Sequence, residues 1–402
     1  MKPVNRLFAA LLVSLPGLAL SMPASEFSAC IAELKTRAAT QGISRTVIDN
    51  NLARVSHVPR VIELDRRQPE FSESFANYIG QRVNEQRIRQ GRALLAEHRP
   101  LLDEIAREYG VPVQYLVAFW GLETNYGSFF GRMPVLDSLA TLACDPRRSD
   151  YFTGELIGAL KIIDEGAIDP ARMEGSWAGA MGHVQFMPSV FLRYAIDYDG
   201  SGRRDLWGSV PDAMASAANF LKGIGWQAGE RWGREVRLPE GFAYGKAGLD
   251  QRKTLEQWRA LGVRRADGAP LPVADMQASL LVPAGHQGPA FLVYDNFHVI
   301  MRWNRSEFYA LSVGHLADRI IGAGDFQQPP PPSPRLSREQ ITALQQQLND
   351  KGFDSGEPDG VLGPATRAAI SRFQQAHNLI ADGFPSPGLF QRLDIDVDPG
   401  PS

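Results

Sequence analysis

The chain has 402 residues, which is enough for two domains, and 44% of them are hydrophobic, a fraction ordinary for a globular protein. Its formal net charge of -3 argues against a nucleic-acid-binding protein that works through bulk positive charge. Composition does not distinguish the remaining classes of function, so the motifs along the chain are needed for that.

The N-terminus has the pattern of an export signal. Lys2 and Arg6 precede an apolar run from Leu7 to Leu20, which is too short to cross a bilayer and is followed by small residues. We therefore expect residues 1–24 to be a signal peptide. The mature protein is expected to be soluble in the periplasm, with no transmembrane segment.

Two cysteines, Cys30 and Cys144, lie beyond this segment. The residues before Cys30 make a poor lipoprotein signal because Phe27 replaces the expected aliphatic residue, so a lipid anchor is not expected. An even number of cysteines in an oxidising compartment predicts a disulfide between them. The alternative is two unpaired buried thiols.

Helices with charged outer faces are predicted over residues 26–110. An apolar helix then begins near Pro112 and ends before Gly127. Glu123 follows Trp120 by three residues, which places it on the apolar face of that helix. Such surroundings raise the pKa of a carboxyl group, as a general acid requires. The alternative is a glutamate that merely ends a core helix.

The segment from Gly175 to Ser189 follows a further predicted helix, 151–165. Its glycines let a ligand approach the backbone closely, and Ser176 and Gln185 offer donors and acceptors. Recognition of a neutral sugar polymer requires this combination. The alternative is a tight glycine turn that packs two helices.

The run from Asp197 to Asp205 has the spacing of a calcium-binding loop. Side-chain oxygens stand at loop positions 1, 3, 5 and 9, glycine at position 6 and a backbone carbonyl at position 7. These residues are, in chain order, Asp197, Asp199, Ser201, Gly202, Arg203 and Asp205. The loop suits a structural calcium or sodium ion, and the alternative is a plain Asp–Gly turn.

Short segments rich in glycine and proline follow a predicted helix over 211–224. Within them, Phe291–Tyr294 and Val299–Arg302 are predicted strands. Residues 25–325 are therefore expected to form a mainly α (α+β) domain with a small strand-containing insertion.

Four other residues with reactive or charged side chains are expected to be structural. His183 and His298 have no His or Cys at ligand spacing, so packing or surface positions are favoured over a zinc site. Arg147 and Arg148 are expected to pair with helix carboxylates rather than with an anionic substrate.

Four consecutive prolines within residues 326–335 predict a semi-rigid extended linker. The tail, 336–395, begins with an amphipathic helix over 337–350 and continues through two Asp–Gly turns. It resembles the small three-helix peptidoglycan-binding module; a generic helical bundle is the alternative. The matching motifs are Leu344–Leu348, Asp359–Gly360, Gly363–Arg367, Phe373–Gln374 and Asp382–Gly383.

The large domain resembles the lytic murein transglycosylases of the B family, which have a lysozyme-like helical fold. The resemblance rests on Gly121–Gly127, Gly175–Ser189 and Asn296–Tyr309. It implies that Glu123 is the sole catalytic acid and base and that no cofactor is required.

The same resemblance implies which residues contact the sugar. Ser176 would bind an N-acetyl group and Gln185 would line the cleft, together with Met181. Two aromatic positions depart from the family pattern, because Trp303 and Phe220 replace tyrosines, whereas Tyr309 is kept. The remaining implied residue is Asp212, which would close the calcium loop.

The expected reaction follows from the number of carboxylates. Ordinary glycosidases use two, and the motifs offer only Glu123. The chain is therefore expected to cleave the β-1,4 bond between N-acetylmuramic acid and N-acetylglucosamine without water, forming a 1,6-anhydromuramoyl product. The alternatives are a hydrolytic muramidase and a non-catalytic wall-binding scaffold. Expected partners are peptidoglycan strands and other cell-wall enzymes.

Overall fold

The structure is a computed structural model that describes residues 22–66, 73–333 and 335–396. The predicted signal peptide, 1–24, lies outside these residues up to position 21. Among the described residues, no helix combines the length and the apolar character needed to span a bilayer.

The large domain is built mainly from α-helices, as the sequence predicts. In chain order they are α1 (Ala24–Thr40), α2 (Arg45–Leu52), α3 (Pro59–Arg66), α4 (Phe75–Arg82), α5 (Glu85–Glu97), α6 (Arg99–Tyr109), α7 (Val113–Thr124), α8 (Val135–Cys144), α9 (Ser149–Asp164), α10 (Pro188–Tyr194), α11 (Val210–Gly223), α12 (Leu255–Ala260), α13 (Asp295–Trp303) and α14 (Glu307–Ile320). Their apolar faces share one continuous core, with α7 nearly buried along its whole length.

Two antiparallel sheets interrupt the helices. The first pairs β1 (Met133–Pro134) with β2 (Glu174–Gly175). The second has the strand order β4-β6-β7-β3-β5. Its strands are β3 (Gly233–Arg237), β4 (Gly248–Thr254), β5 (Arg264–Arg265), β6 (Gln277–Leu281) and β7 (Ala290–Val293). This sheet is the predicted insertion, and it has a small core of its own around Trp258.

One predicted strand is a helix. Residues 291–293 lie in β7 as expected, but Val299–Arg302 lies in α13. Phe297, Val299 and Ile300 are all buried there. A short apolar run does not by itself distinguish a strand from a buried helix, and here the packing of α13 against α14 decides for the helix.

The predicted disulfide is confirmed. Cys30 in α1 is bonded to Cys144 at the end of α8, across 114 residues of sequence. The alternative of two unpaired thiols is wrong.

The C-terminal tail forms three helices around a separate small core, as predicted. They are α15 (Arg338–Asp350), α16 (Pro364–Ala376) and α17 (Pro387–Arg392). The start of the proline-rich segment is fixed to the large domain, because the backbone N–H groups of Gln327 and Gln328 donate to the carboxylate of Glu235.

Candidate active site

Glu123 lies in the last turn of α7, which ends in an unusual backbone turn. Pro112 precedes the first helical residue, as the sequence suggests. Asn125, Tyr126 and Gly127 then have positive φ angles of 48°, 61° and 78°. Non-glycine residues adopt this region at a cost, so the surrounding contacts must hold the turn.

Those contacts come from the side chains of the turn itself. The Thr124 hydroxyl donates to the His183 carbonyl at 2.8 Å and accepts the Gly127 N–H at 3.0 Å. The Tyr126 hydroxyl donates to the Arg87 carbonyl at 2.8 Å. A Cβ atom on Gly127 would lie 2.3 Å from the His183 ring. The turn therefore fixes where α7 ends and how Glu123 enters the site.

Two side chains from α13 and α14 donate hydrogen bonds to Glu123. The Trp303 indole N–H reaches Oε1 at 2.9 Å, and the Tyr309 hydroxyl donates to the same oxygen. The Phe119 ring packs 4.3 Å from the Trp303 ring, between centroids. The carboxylate is therefore held in one orientation against an aromatic wall, although the bonded residues are 180 or more positions apart in sequence.

Aromatic rings continue this wall away from Glu123. Phe220 packs 5.0 Å from Trp303, 5.4 Å from Phe186 and 4.9 Å from Tyr194. Phe220 is only 9% exposed, so the ring offers an edge of its surface to a ligand. The two positions at which the chain departs from the family pattern are thus neighbours in the structure.

The segment from Ser176 to Ala180 forms a tight turn directly after β2. The Ser176 Oγ accepts the Ala180 N–H at 3.0 Å, and the Ser176 carbonyl accepts the Gly179 N–H. The tight glycine turn is therefore real, and the half-buried Ser176 side chain lies on it. Met181 has no exposed surface, so it supports the turn from beneath and is not placed to touch sugar as expected.

Gln185 links this segment to the turn after α7. Its φ angle is 49°, and its Nε2 donates to the carbonyls of Phe130 and Gly182 at 3.0 and 3.1 Å. These bonds hold the half-buried Gln185 side chain between its own segment, Gly175–Ser189, and the loop that follows α7.

His183 is a packing residue, as predicted, but with a role that the sequence does not reveal. Its Nδ1 accepts the Trp120 indole N–H at 2.9 Å. Burial lowers the pKa of His183 to about 4, although Asp205 opposes the shift. The neutral ring is therefore a fixed spacer behind the Glu123 turn. Thr124, the residue after Glu123, donates to the His183 carbonyl across 59 residues of sequence. No local motif indicates a contact over that distance.

Two other buried carboxylates, those of Glu155 and Asp65, are paired with groups of the protein itself. Glu155 accepts hydrogen bonds from the backbone and the hydroxyl of Ser189 at 2.9 and 2.7 Å. Arg147 and Arg148 both pair with Asp65, as predicted. These contacts account for the charged side chains of Glu155, Asp65, Arg147 and Arg148, so no contact with a substrate is needed to explain them.

The predicted metal ligands are brought together. Carboxylate oxygens of Asp197, Asp199 and Asp212 all lie within 4.8 Å of one another. The Ser201 hydroxyl is 3.2 Å from the Arg203 carbonyl oxygen. Asp212 has no exposed surface and comes from the first turn of α11, outside the loop.

The chain matches two protein families. Residues 26–318 match the transglycosylase SLT domain, and residues 337–393 match the putative peptidoglycan binding domain. The chain is also 32% identical over 298 residues to the membrane-bound lytic murein transglycosylase B of Escherichia coli K12, covering 69% of this chain and 79% of that protein.

The chain is also similar to solved structures. SltB3 from Pseudomonas aeruginosa, in complex with NAG-anhNAM-pentapeptide, is 46% identical with a TM-score of 0.88, over 92% of this chain and 99% of that chain. The Escherichia coli lytic transglycosylase Slt35, in complex with calcium, is 30% identical with a TM-score of 0.61, over 74% of this chain and 92% of that chain.

Proposed function

The chain belongs to the transglycosylase SLT domain family and is a peptidoglycan lytic transglycosylase, and from this premise we propose that Glu123 is its single catalytic acid and base. The observation that carries the proposal is the pair of donors, Trp303 and Tyr309, that converge on one oxygen of this carboxylate. A group that gives and then takes a proton needs such fixed geometry.

The proposed reaction has two proton transfers through the same group. Protonated Glu123 gives its proton to the glycosidic oxygen, the bond from C1 of N-acetylmuramic acid to that oxygen breaks, and N-acetylglucosamine leaves as an alcohol. The Glu123 carboxylate then takes the proton of the C6 hydroxyl while O6 bonds to C1. The 1,6-anhydro ring closes, Glu123 is protonated again, and no water is consumed. Because the nucleophile belongs to the same sugar, its effective concentration is high.

We propose the following roles for the cleft residues. Ser176 and Gln185 would bind the sugar through hydrogen bonds, while Trp303 and the small exposed part of Phe220 would offer apolar surface to the sugar rings. Tyr309 orients Glu123. The anhydro sugar in the SltB3 complex supports the assignment of the product.

We further propose that calcium binds the loop at Asp197–Asp212. The donors are oxygen atoms only, as a hard cation prefers, and three carboxylates, those of Asp197, Asp199 and Asp212, converge within 4.8 Å of one another. The ligands would be Asp197, Asp199, Ser201, Asp212 and the backbone carbonyl of Arg203. The ion would order the start of α11, the helix that carries Phe220 near its other end. It would take no part in the proton transfers.

The domain division at 25–325, 326–335 and 336–395 fits a catalytic domain joined to a wall-binding module, as the two family matches support. We propose that residues 1–24 direct export to the periplasm, where peptidoglycan lies and where the disulfide would form.

The mass of the product tests the proposed reaction. Purified peptidoglycan digested in isotopically labelled water should give muramoyl ends that are one water lighter than hydrolysis products and that carry no label. Glu123→Gln should abolish release, whereas Glu174→Gln, which changes an exposed glutamate on β2, should not. Label in the muramoyl ends would establish a hydrolytic muramidase, and absence of release by the unaltered protein would favour a wall-binding scaffold.

A further inference from the structure

The C-terminal module contains the same backbone loop twice. We call Asp359–Val361, between α15 and α16, the first loop, and Asp382–Phe384, between α16 and α17, the second loop. Each contains an Asp–Gly pair whose glycine has a positive φ angle, 73° for Gly360 and 69° for Gly383.

A buried glutamine from the preceding helix holds the first loop. The Gln345 Nε2 donates to Asp359 Oδ1 at 2.9 Å, and its Oε1 accepts the Gly360 N–H at 2.8 Å. The Val361 N–H donates to the same Asp359 oxygen at 2.9 Å. Gln345 is 1% exposed.

The second loop repeats each of these bonds. The Gln374 Nε2 donates to Asp382 Oδ1 at 2.8 Å, and its Oε1 accepts the Gly383 N–H at 2.8 Å. The Phe384 N–H donates to the same Asp382 oxygen at 3.0 Å. In both loops the inner carboxylate oxygen, Oδ1, is therefore used to build the loop.

The catalytic domain occupies the outer oxygen of the second loop. The backbone N–H of His286 donates to Asp382 Oδ2 at 2.9 Å, and the His286 Nδ1 lies 2.6 Å from the same atom. The Asp382 side chain is only 3% exposed as a result. The second loop thus serves as the docking site for another part of the chain.

The docked group has a particular chemical shape. A Cβ atom on Gly285 would lie 2.7 Å from the Phe384 Cβ and 2.8 Å from Asp382 Oδ2, so the residue before the bound N–H must lack a side chain. What the loop contacts is a CH2–CO–NH unit. An N-acetyl group on a sugar has the same sequence of atoms, with a methyl group in place of the glycine Cα.

We propose that the first loop binds N-acetyl groups of the wall glycan, with the acetamido N–H donated to Asp359 Oδ2. Asp359 is exposed, whereas its counterpart in the second loop is covered by Gly285 and His286. An alanyl amide of a stem peptide has a methyl side chain where Gly285 has none, so the sugar acetamido group fits better. The inference rests on the proposed wall-binding role of the module and names its ligand.

Asp359→Asn tests the proposal in the full chain. Asparagine can retain the inner acceptor that holds the loop but turns the outer acceptor into a donor. The variant would be made with Glu123→Gln, so that walls are bound and not cut, and compared with Glu357→Gln, which removes an equal charge from an exposed position of the same module. Binding would be measured by sedimentation with intact walls, with walls freed of stem peptides and with de-N-acetylated walls.

We expect Asp359→Asn to bind intact and peptide-free walls about threefold to tenfold more weakly, the range of one hydrogen bond in water. The ratio to the parent should return to one on de-N-acetylated walls, and Glu357→Gln should match the parent on all three. A loss that follows the stem peptides, a loss equal on all three walls, or no loss at all would each overturn the proposal.

A second measurement does not depend on the variant's folding. In the chain with an unaltered first loop, the backbone amide resonances of Gly360 and Val361 should shift on addition of N-acetylglucosamine and not of glucosamine. Unmoved resonances would overturn the proposal. The proposed reaction is tested separately, through the mass of the products that the unaltered chain releases from short soluble glycans.

Discussion

The Trp303 indole donates a hydrogen bond to Glu123 from a position where the resemblance to the B family leads us to expect a tyrosine. The sequence predicts Glu123 because its motif is local, and it identifies Trp303 as a departure that offers only an N–H. It does not predict that this N–H reaches Glu123, because the bond joins α7 to the end of α13. Such a pairing depends on how the helices pack, which no short motif encodes.

Removing this donor should slow the chemical step. A hydrogen bond to a charged group is worth about 1.5–3 kcal/mol, so Trp303→Phe should lower kcat by roughly tenfold to a hundredfold. KM for short glycans should change less, because the aromatic face is kept. Trp207→Phe is a matched control, since that indole N–H bonds the Glu174 carbonyl instead. A change in KM alone would mean that Trp303 binds sugar without orienting Glu123.

His183 should make the fold less stable in mild acid. Burial depresses its pKa to about 4 from an ordinary value of 6.5, so the unfolded chain binds more protons than the folded chain between these values. Stability is therefore full above pH 6.5 and falls as the pH drops toward 4. The slope from one such histidine approaches about 1.4 kcal/mol per pH unit.

Urea unfolding at several pH values would measure this slope. His183→Asn supplies an oxygen that can accept the Trp120 N–H but does not titrate, so its stability should depend less steeply on pH. His315, whose pKa burial lowers to about 3, remains in both proteins and contributes equally. An unchanged slope in the variant would contradict the assignment to His183.

At the scale of elements, regular periodicity is enough to predict helices, and contacts between distant segments are not predictable. The helices near 151–165 and 211–224 are confirmed within two residues as α9 and α11. The strand predicted at Val299–Arg302 is wrong because four apolar or long side chains fit either structure until their packing partner is known. The confirmed disulfide is the exception: it joins distant segments, and it could be predicted because the sequence has only two cysteines to pair.

The disulfide should stabilise the contact of α1 with α8. A disulfide typically contributes about 2–4 kcal/mol, mainly by constraining the unfolded chain. The double variant Cys30→Ala, Cys144→Ala should lose this amount in urea unfolding. A reducing agent should lower the stability of the parent and leave the variant unchanged. Equal effects of the reducing agent on both proteins would show that it acts elsewhere.

Calcium should stabilise the start of α11 through Asp212. Added calcium is expected to raise the melting temperature, and a chelator should reverse the increase, because the ion binds the folded loop and not the unfolded chain. Asp199→Asn should remove most of the response, whereas Asp275→Asn, at an exposed position outside the loop, should keep it. A melting temperature independent of calcium in the parent would rule out the proposed site.

At the scale of the whole molecule, the wall-binding module is connected to the large domain by more than a flexible linker. The proline-rich sequence predicts a spacer between the two domains. Such a spacer would by itself raise the concentration of wall polymer near the cleft, to a degree set by its length. The structure adds hydrogen bonds to the large domain, among them those from Gln327 and Gln328 to Glu235 and those from His286 to Asp382. The module is therefore bonded to the large domain directly as well as through the linker.

Gly285→Ala should release the module from this direct contact. The added Cβ would overlap Phe384, and the φ angle of 71° adds a backbone cost. Gly268→Ala is matched in strain, with a φ angle of 83°, but its Cβ would meet no atom within 4 Å. Both variants should cleave short soluble glycans at the parent's rate, because neither residue belongs to α7, α13 or α14, the helices that carry Glu123 and its donors. Only Gly285→Ala should cleave intact walls more slowly and become sensitive to proteolysis around residues 326–335. If both variants behave alike on walls, the effect is one of backbone strain, and docking contributes nothing beyond the tether.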